Sequence, residues 1–177
     1  MFFHNAIKKL HESDDFKKWR KENSKHFLST GFIVVEKARE YPWMIGYFDT
    51  KTDKISSFVV SDKECYFEKV DEVFKKPEDT VFELNLEKVK IDVEKVLDLI
   101  ETYCKEKYNH ETIIKTILII QNLPKHGNVW NVTLITQSFN AINMKINSED
   151  GKLLEDKCSS LLSYGAPDTL ADAKNNV

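Results

Sequence analysis

The sequence has few of the residues that form disulfide or metal cross-links and flexible linkers, and it has no long apolar run. Its 177 residues include three cysteines, five glycines and four prolines. Cys65, Cys104 and Cys158 are widely spaced and form no CxxC pair, which argues against a zinc site or a disulfide framework. No window reaches the roughly 20 apolar residues of a membrane-spanning helix, and the first residues lack the apolar core of a signal peptide. We therefore expect a cytoplasmic protein with free thiols and no membrane partner.

The chain also lacks an excess of positive charge. It has 26 basic and 29 acidic residues, a formal net charge of -3. Its basic residues are interleaved with acids, as in "FKKWRKENSKH", whereas a nucleic-acid binder clusters Lys and Arg to meet phosphates. We therefore expect no nucleic-acid partner.

Motifs that carry chemistry are missing as well. Neither GxGxxG nor GxxxxGK[ST] occurs, and no GxSxG turn presents a serine nucleophile. His4 and His11 could share a helix face, but two histidines without HExxH do not make a metal site. Cys104 falls on the apolar stripe of its helix, as a buried inert thiol would. The sequence predicts no catalytic residue, no cofactor and no metal. An enzyme remains possible only if its site forms from residues distant in the chain.

The apolar periodicity predicts helices followed by strands in both halves of the chain. An opening helix is predicted near residues 3–12, and Ser13 then caps a second helix that reaches about His26. Gly31 marks the change to a strand period, and Asp92 caps a third helix. Four runs read as strands of the first half: "GFIVVEKA", "PWMIGYFD", "KISSFVVS" and "CYFEKV". The second half has "IIKTILII" from about residue 115 and the meander 127–154, and "VFELNLEKVKI" predicts one more short strand.

The two halves align when Trp43 is placed over Trp130, a shift of 87 residues (130 − 43). Strand lengths, turns and alternation then agree from Gly31 to about Val70 without a gap, although few residues are identical. We interpret the chain as an α+β fold of two tandem units, each a helix plus an antiparallel β-meander. The units could join into one continuous sheet with helices on one face. The rival interpretation is a single α+β sheet whose meanders are alike by chance. The predicted bounds are 1–76 for the degenerate N-terminal unit, 77–165 for the second unit, and 166–177 for a flexible tail.

The second unit resembles the PepSY domain over roughly residues 92–155. The resemblance rests on a helix, a strand bearing Trp before alternating apolar residues, and a last hairpin closing on Asp-Gly. Its positions here are Trp130, Val132, Ile146, Asp150, Gly151 and Leu153, whereas the first half has Glu64 in place of the glycine. It implies an antiparallel sheet with a helix packed on one face, in a family associated with peptidase propeptides and inhibition of peptidases. The chain is also similar to small archaeal proteins of unknown mechanism.

The outward faces of the two meanders differ in polarity. In the second meander the residues expected to face away from the helix are mostly polar: Asn131, Thr133, Asn143, Lys145 and Asn147. In the first meander the alternation is interpreted as placing apolar residues outward: Met44, Gly46, Phe48, Phe58 and Val60. An apolar face needs cover, which could be the preceding helix pair, a second subunit or a partner. The candidate partner or dimer face is therefore Met44, Phe48, Phe58 and Val60.

These patterns predict a binding role. The first hypothesis is a non-enzymatic module of PepSY-like type that holds a protein or peptide through its sheet face or sheet edge, as an inhibitor or regulator. The alternatives are a structural homodimer built on the face that contains Met44, Phe48 and Phe58, and an enzyme whose site the sequence does not show.

Overall fold

The computed structural model describes residues 1–36, 39–72 and 80–162, and within these ranges the protein is an α+β fold. The predicted boundary at 76/77 and the predicted tail 166–177 lie outside them. The helices are α1 (Phe3–Glu12), α2 (Asp14–Glu22) and α3 (Val93–Lys107), with a 3-10 turn at Leu86–Lys88. The strands are β1 (Phe27–Glu36), β2 (Arg39–Glu40), β3 (Trp43–Asp49), β4 (Lys54–Val60), β5 (Cys65–Glu72), β6 (Ile113–Leu123), β7 (Gly127–Thr136), β8 (Asn140–Asn147) and β9 (Leu153–Ser160).

All the strands belong to one antiparallel sheet. Its order is β5-β4-β3-β1-β6-β7-β8-β9, and the short β2 pairs with β1. We call β1 to β5 the first half and β6 to β9 the second half. They join in the centre through β1 and β6, where Phe32 lies opposite Ile119. The sheet is therefore continuous, as the sequence allowed.

The helices pack on one face of this sheet, which we call the helix face. α1 buries Phe3, Ala6, Ile7 and Leu10, which recur at helical spacing. The Phe3 ring lies between the halves, with centroid distances of 5.0 Å to Trp43 and 6.4 Å to Trp130. Gly31 lies beneath that ring, and a Cβ there would come within 2.3 Å of Phe3 Cε2. One hydrophobic core thus spans both halves.

The segments that precede α1 and α3 are tied to the sheet by the two core tryptophans. Trp43 Nε1 donates to the Met1 carbonyl at 2.9 Å, and Trp130 Nε1 donates to the Ile91 carbonyl at 3.1 Å. Each acceptor lies two residues before its helix begins. The two tryptophans therefore make equivalent contacts in the two halves.

Asp92 caps both α1 and α3. Its Oδ1 accepts from the Val93 amide at 2.7 Å, and its Oδ2 accepts from the Phe3 amide at 3.0 Å. A carboxylate satisfies amides that a helix start leaves without partners, and its charge suits the positive end of the helix dipole. The two helices of different halves thus begin at one side chain.

Some predicted element bounds are wrong. α2 ends at Glu22 and not near His26, because the Asn23 amide and side chain both donate to the Trp19 carbonyl, at 3.1 Å and 2.8 Å, and close the helix. β1 begins at Phe27, so Gly31 lies inside the strand and does not mark its start.

The segment "VFELNLEKVKI" forms no strand. Its amides find single partners outside any ladder: the Leu84 amide donates to the Leu28 carbonyl, and those of Lys90 and Ile91 donate to the Ser148 carbonyl. The local alternation is real, but the segment serves as a connection that crosses the end of the sheet.

The two central hairpins differ by one loop residue. Loop 50–53 joins β3 to β4, whereas the shorter loop 137–139 joins β7 to β8. The residue before the second strand is left-handed in both, Asp53 and Phe139 with φ of 58°. The shift that aligns Trp43 with Trp130 therefore fails by one residue beyond the first loop.

This slip overturns the predicted facing of β4. A one-residue slip moves every side chain of a strand to the opposite face. Phe58 lies opposite Ile45 and Val60 lies opposite Trp43, so both point to the helix face. Both are fully buried, and the Phe58 ring contacts the ring of Trp19 in α2 at 5.0 Å. The prediction that Phe58 and Val60 face outward is wrong.

Candidate functional site

The sheet face opposite the helices, which we call the open face, changes polarity across the molecule. One row of cross-strand neighbours runs from β5 to β9 in the order Tyr66, Val59, Met44, Phe32, Ile119, Asn131, Lys145 and Glu155. The row is apolar as far as Ile119 and polar from Asn131 onward. The next row repeats the change, with Val34 and Ile117 followed by Thr133, Asn143 and Lys157. A third row on this face is polar in the first half and in β6, through Ser57, Thr30 and Gln121. The apolar part is therefore a patch on the first half and the central strand β6.

Two of the four predicted face residues do lie on the open face. Met44 is half-buried there, opposite Phe32 and Val59. Phe48 is also on this face but is only 4% exposed, with its ring 5.5 Å from that of Phe27. Of the predicted set, Met44 alone combines the right face with an accessible side chain.

The structure adds Phe32 and Ile119, which the sequence analysis missed. Both lie on central strands and are half-buried. A signal for them was present, because "FIVV" and "ILII" are apolar at consecutive positions, and a strand apolar on both sides has both sides in contact with something.

A cleft of about 620 Å³ opens on this apolar area. Its floor includes Phe32, Met44 and Ile119, and Phe82 lines one side. The volume falls within the roughly 300–1,000 Å³ typical of ligand pockets. Among the described lining residues the charged ones are Asp71 and Glu72, so the rim is acidic. The cleft suits an apolar group.

A second cleft, of about 690 Å³, lies at the ends of α1 and α2. His11 Nε2 is 2.7 Å from the Tyr47 hydroxyl, and the His11 ring stacks on Phe16 at 4.8 Å. The Arg20 guanidinium lies 5.7 Å from the centre of the Tyr47 ring.

The protonation of this pair follows from its burial. Burial raises the pKa of the Tyr47 hydroxyl far above its usual range, and burial followed by the Arg20 charge lowers the pKa of His11. At neutral pH these shifts favour a hydrogen bond between a protonated Tyr47 hydroxyl and a neutral His11 ring. Because Tyr47 is almost wholly buried, we assign the pair to packing beneath the helices.

Two of the three cysteines have a raised thiol pKa. Burial raises the pKa of Cys104, and burial followed by Glu111 raises that of Cys158, so both thiols stay protonated and are weak nucleophiles. Within residues 1–36, 39–72 and 80–162, no three His, Cys, Asp or Glu side chains are grouped to hold a metal. None of the helices described is both long and apolar enough to cross a bilayer.

Comparison with known proteins identifies a similar fold. No protein-family model matches the chain, and no curated protein matches it. A solved structure, that of a candidate lipoprotein from Clostridium difficile 630, superposes with a TM-score of 0.52 at 9% sequence identity. The match covers 82% of this chain and 91% of the other. At this identity the similarity is one of fold.

Proposed function

We propose that this protein is a non-enzymatic binding module of PepSY-like type, which holds an apolar protein or peptide segment against the open face of its first half. The observation that carries the proposal is the row that is apolar from Tyr66 to Ile119 and polar from Asn131 to Glu155. The cleft on the apolar part gives such a segment a place to insert a side chain. The acidic rim favours a segment that also carries positive charge.

Two tandem units are part of the proposal, and the central pairing supports them. Gly31 lies opposite Ile120, and Ile33 lies opposite Leu118. The 87-residue shift places Gly31 on Leu118 and Ile33 on Ile120. It therefore maps one pair onto the other, with β1 and β6 exchanged. The equivalent hydrogen bonds of Trp43 and Trp130 support the same interpretation.

The last hairpin supports the PepSY-like assignment of the second unit. Gly151 has a φ of 77°, a value that glycine adopts without strain. Asp150 Oδ1 accepts from the Lys152 amide at 2.9 Å, which closes the turn before β9. The conformation of this turn thus explains why Asp and Gly occupy positions 150 and 151. The three free cysteines support a reducing compartment, and we place the protein in the cytoplasm.

A peptide-display selection tests the binding role. Random peptides are selected on the wild-type protein, and their affinities are then measured for Ile119→Asn and for a control on the polar part, Thr133→Asn. Loss of one buried apolar side chain is worth about 1.5–3 kcal/mol, so Ile119→Asn should weaken binding about tenfold or more. The control should change it less than about twofold.

Two outcomes would refute this function. One is a selection that yields no peptide with saturable binding. The other is a set of peptides whose affinity both variants lower equally. Sedimentation of the free protein distinguishes a homodimer: a stable dimer that Ile119→Asn dissociates would mean that a second copy covers the face.

A further inference from the structure

The edge strand of the first half, β5, is long and open on one side. Seven of its eight residues pair with β4, from Lys54–Glu72 to Val60–Cys65. Among the described residues no strand pairs with its other side. Within the described ranges, its outward amides and carbonyls are the groups to which a further strand would pair.

β5 also exposes apolar side chains to solvent. Of the nine exposed large hydrophobic residues in the described chain, three lie on this strand: Tyr66 at 37%, Phe67 at 39% and Val70 at 53% exposure. Phe67 and Val70 point to the helix side, opposite Phe58 and Ser56, and Tyr66 points to the open side. The Phe67 ring rests on that of Phe58 at 5.4 Å, which fixes its position. A strand laid beside β5 would find apolar contacts on both faces.

The usual protection of edge strands is weak here. Natural edges are blunted by lysines, prolines, bulges or short length. β5 has one lysine, and Lys69 Nζ is held 2.6 Å from Asp71 Oδ2. A bulge at Glu68, between the pairs of Phe67 and Lys69, interrupts the ladder once and leaves residues on both sides of it in regular pairing.

The opposite edge, β9, shows the contrast. Its Asp156 accepts from Lys107 Nζ at 2.6 Å and from the Tyr108 hydroxyl, and Glu155 Oε2 lies 2.5 Å from Lys145 Nζ. None of the exposed large hydrophobic residues in the described chain lies on β9. Its two acidic side chains are therefore paired within the chain.

The charge around β5 is negative. Residues 62–72 contain five acidic residues and two lysines. The pKa of the Tyr66 hydroxyl is raised by burial and then by Glu68 and Glu64. A cationic ligand would be attracted to this edge.

We infer that β5 is a docking edge for an extended peptide segment in which apolar and basic residues alternate. Main-chain hydrogen bonds to β5 hold such a segment as an added strand. Its apolar side chains pack on Phe67 and Val70 on the helix side. Its Lys or Arg side chains lie on the open side, where they meet Asp71 and Glu68, whose charge reaches the Tyr66 hydroxyl. A second copy of this chain fits poorly, because pairing two β5 edges sets acid against acid. The inference does not depend on binding at the open face.

The test uses a capped, fluorescein-labelled eight-residue peptide in which Val and Lys alternate. Two control peptides accompany it, one alternating Val and Glu and one with a central Pro that cannot pair as a strand. Affinity is measured by anisotropy, and hydrogen exchange locates the site. The variant is Glu68→Lys, and the matched control is Glu106→Lys, which makes the same charge change at an exposed position of α3.

The Val/Lys peptide should bind at least about tenfold tighter than either control, which corresponds to about 1.4 kcal/mol. Amides of β5 should gain protection while those of β9 do not. Glu68→Lys should weaken binding about fivefold or more, because it replaces an attractive charge beside the cationic peptide by a repulsive one, and Glu106→Lys less than about twofold. Four results would overturn the inference: no binding of the Val/Lys peptide, equal binding of the Val/Glu peptide, equal loss in both variants, or protection on β9 alone. If the free protein forms dimers and Glu68→Lys changes them, the ligand of β5 is a second copy of this chain and not a peptide.

Discussion

The two halves of the sheet share strand order and helix packing but differ on the open face. In the second half the faces are largely divided: Trp130, Val132 and Met144 are buried on the helix face, and Asn131, Thr133 and Asn143 lie on the open face. Val129 and Ile135 are apolar exceptions on the open face. In the first half the open face also carries an apolar patch, around Phe32, Met44 and Val59. The second half shows that this arrangement folds with a polar open face, so the fold itself does not require Phe32 or Met44 to be apolar. Cover within the chain explains part of this patch, because Val59 and Phe48 are only 6% and 4% exposed on the open face. We propose binding for the half-buried remainder around Phe32 and Met44.

The largest effect is expected from truncating one residue on each face of the first half and comparing the losses in unfolding free energy. Phe58→Ala should cost about 3–5 kcal/mol, because Phe58 fills the space beneath α2. Met44→Ala on the half-buried open face should cost about 1 kcal/mol or less. Urea unfolding measures both free energies. Equal losses would mean that the open face is as much a core as the helix face.

A second substitution acts on the point where the halves meet. Asp92→Ala removes the cap of two helices, and at about 1 kcal/mol per cap it should cost about 2 kcal/mol. Ser13→Ala removes the cap of α2 alone and should cost about 1 kcal/mol. If the two losses in thermal or urea unfolding are the same, Asp92 does not stabilise α1.

The two halves are expected to lose stability in different pH ranges. In the first half, burial and Arg20 lower the pKa of His11 from its ordinary 6.5. As the pH falls, His11 is therefore protonated in the unfolded state before it is protonated in the folded state. The stabilisation that comes from neutral His11 is complete above pH 6.5 and is lost as the pH falls through the folded pKa. His11→Gln should remove that slope, by about 1 kcal/mol or less. An unchanged slope in denaturant unfolding between pH 7 and pH 5 would rule out this origin.

In the second half the matching group is Asp156, whose pKa is lowered from 3.8 by hydrogen bonds from Lys107 and Tyr108. Its stabilisation is complete above pH 3.8 and is lost as the pH falls through the folded pKa. Asp156→Asn should therefore be less stable than the wild type at neutral pH and equal to it in strong acid. A difference that persists in strong acid would contradict the ion pair as its source.

The smallest effect on stability is expected from a substitution on the open face of the second half. Asn131→Val extends the apolar row by one residue into the second half. Because the position is on the solvent face of a strand and Val suits strands, unfolding free energy should change by no more than about 0.5 kcal/mol. A peptide selected on the wild type should bind the variant equally well or better. Weaker binding would mean that the polar part also takes part.

The sequence was informative wherever the signal is local. The stripe of α3, the capping residues Ser13 and Asp92, and the alternation of β7 and β8 all predicted their elements and the buried face of the second half. The pairing of β1 with β6 and the approach of Phe3 to Asp92, 89 residues away, could not be predicted, because nothing local encodes them.

The facing of β4 failed for a more specific reason. Both hairpin loops have turn composition, and one extra residue in loop 50–53 does not show in the pattern of strands. That residue reverses the side on which Phe58 and Val60 lie. Two of the four residues assigned to the candidate site were therefore core residues, and two central residues took their place.

The three methionines allow the central claim to be measured directly. The chain has Met1, Met44 and Met144, of which Met44 is half-buried on the open face of the first half and Met144 is 1% exposed beneath the helices of the second. With methyl-labelled methionine, a peptide selected on this protein is titrated and the three methyl resonances are followed by NMR. Our account predicts that the Met44 methyl shifts and saturates with the peptide while that of Met144 stays in place. A Met44 resonance that does not move while the peptide binds would contradict it.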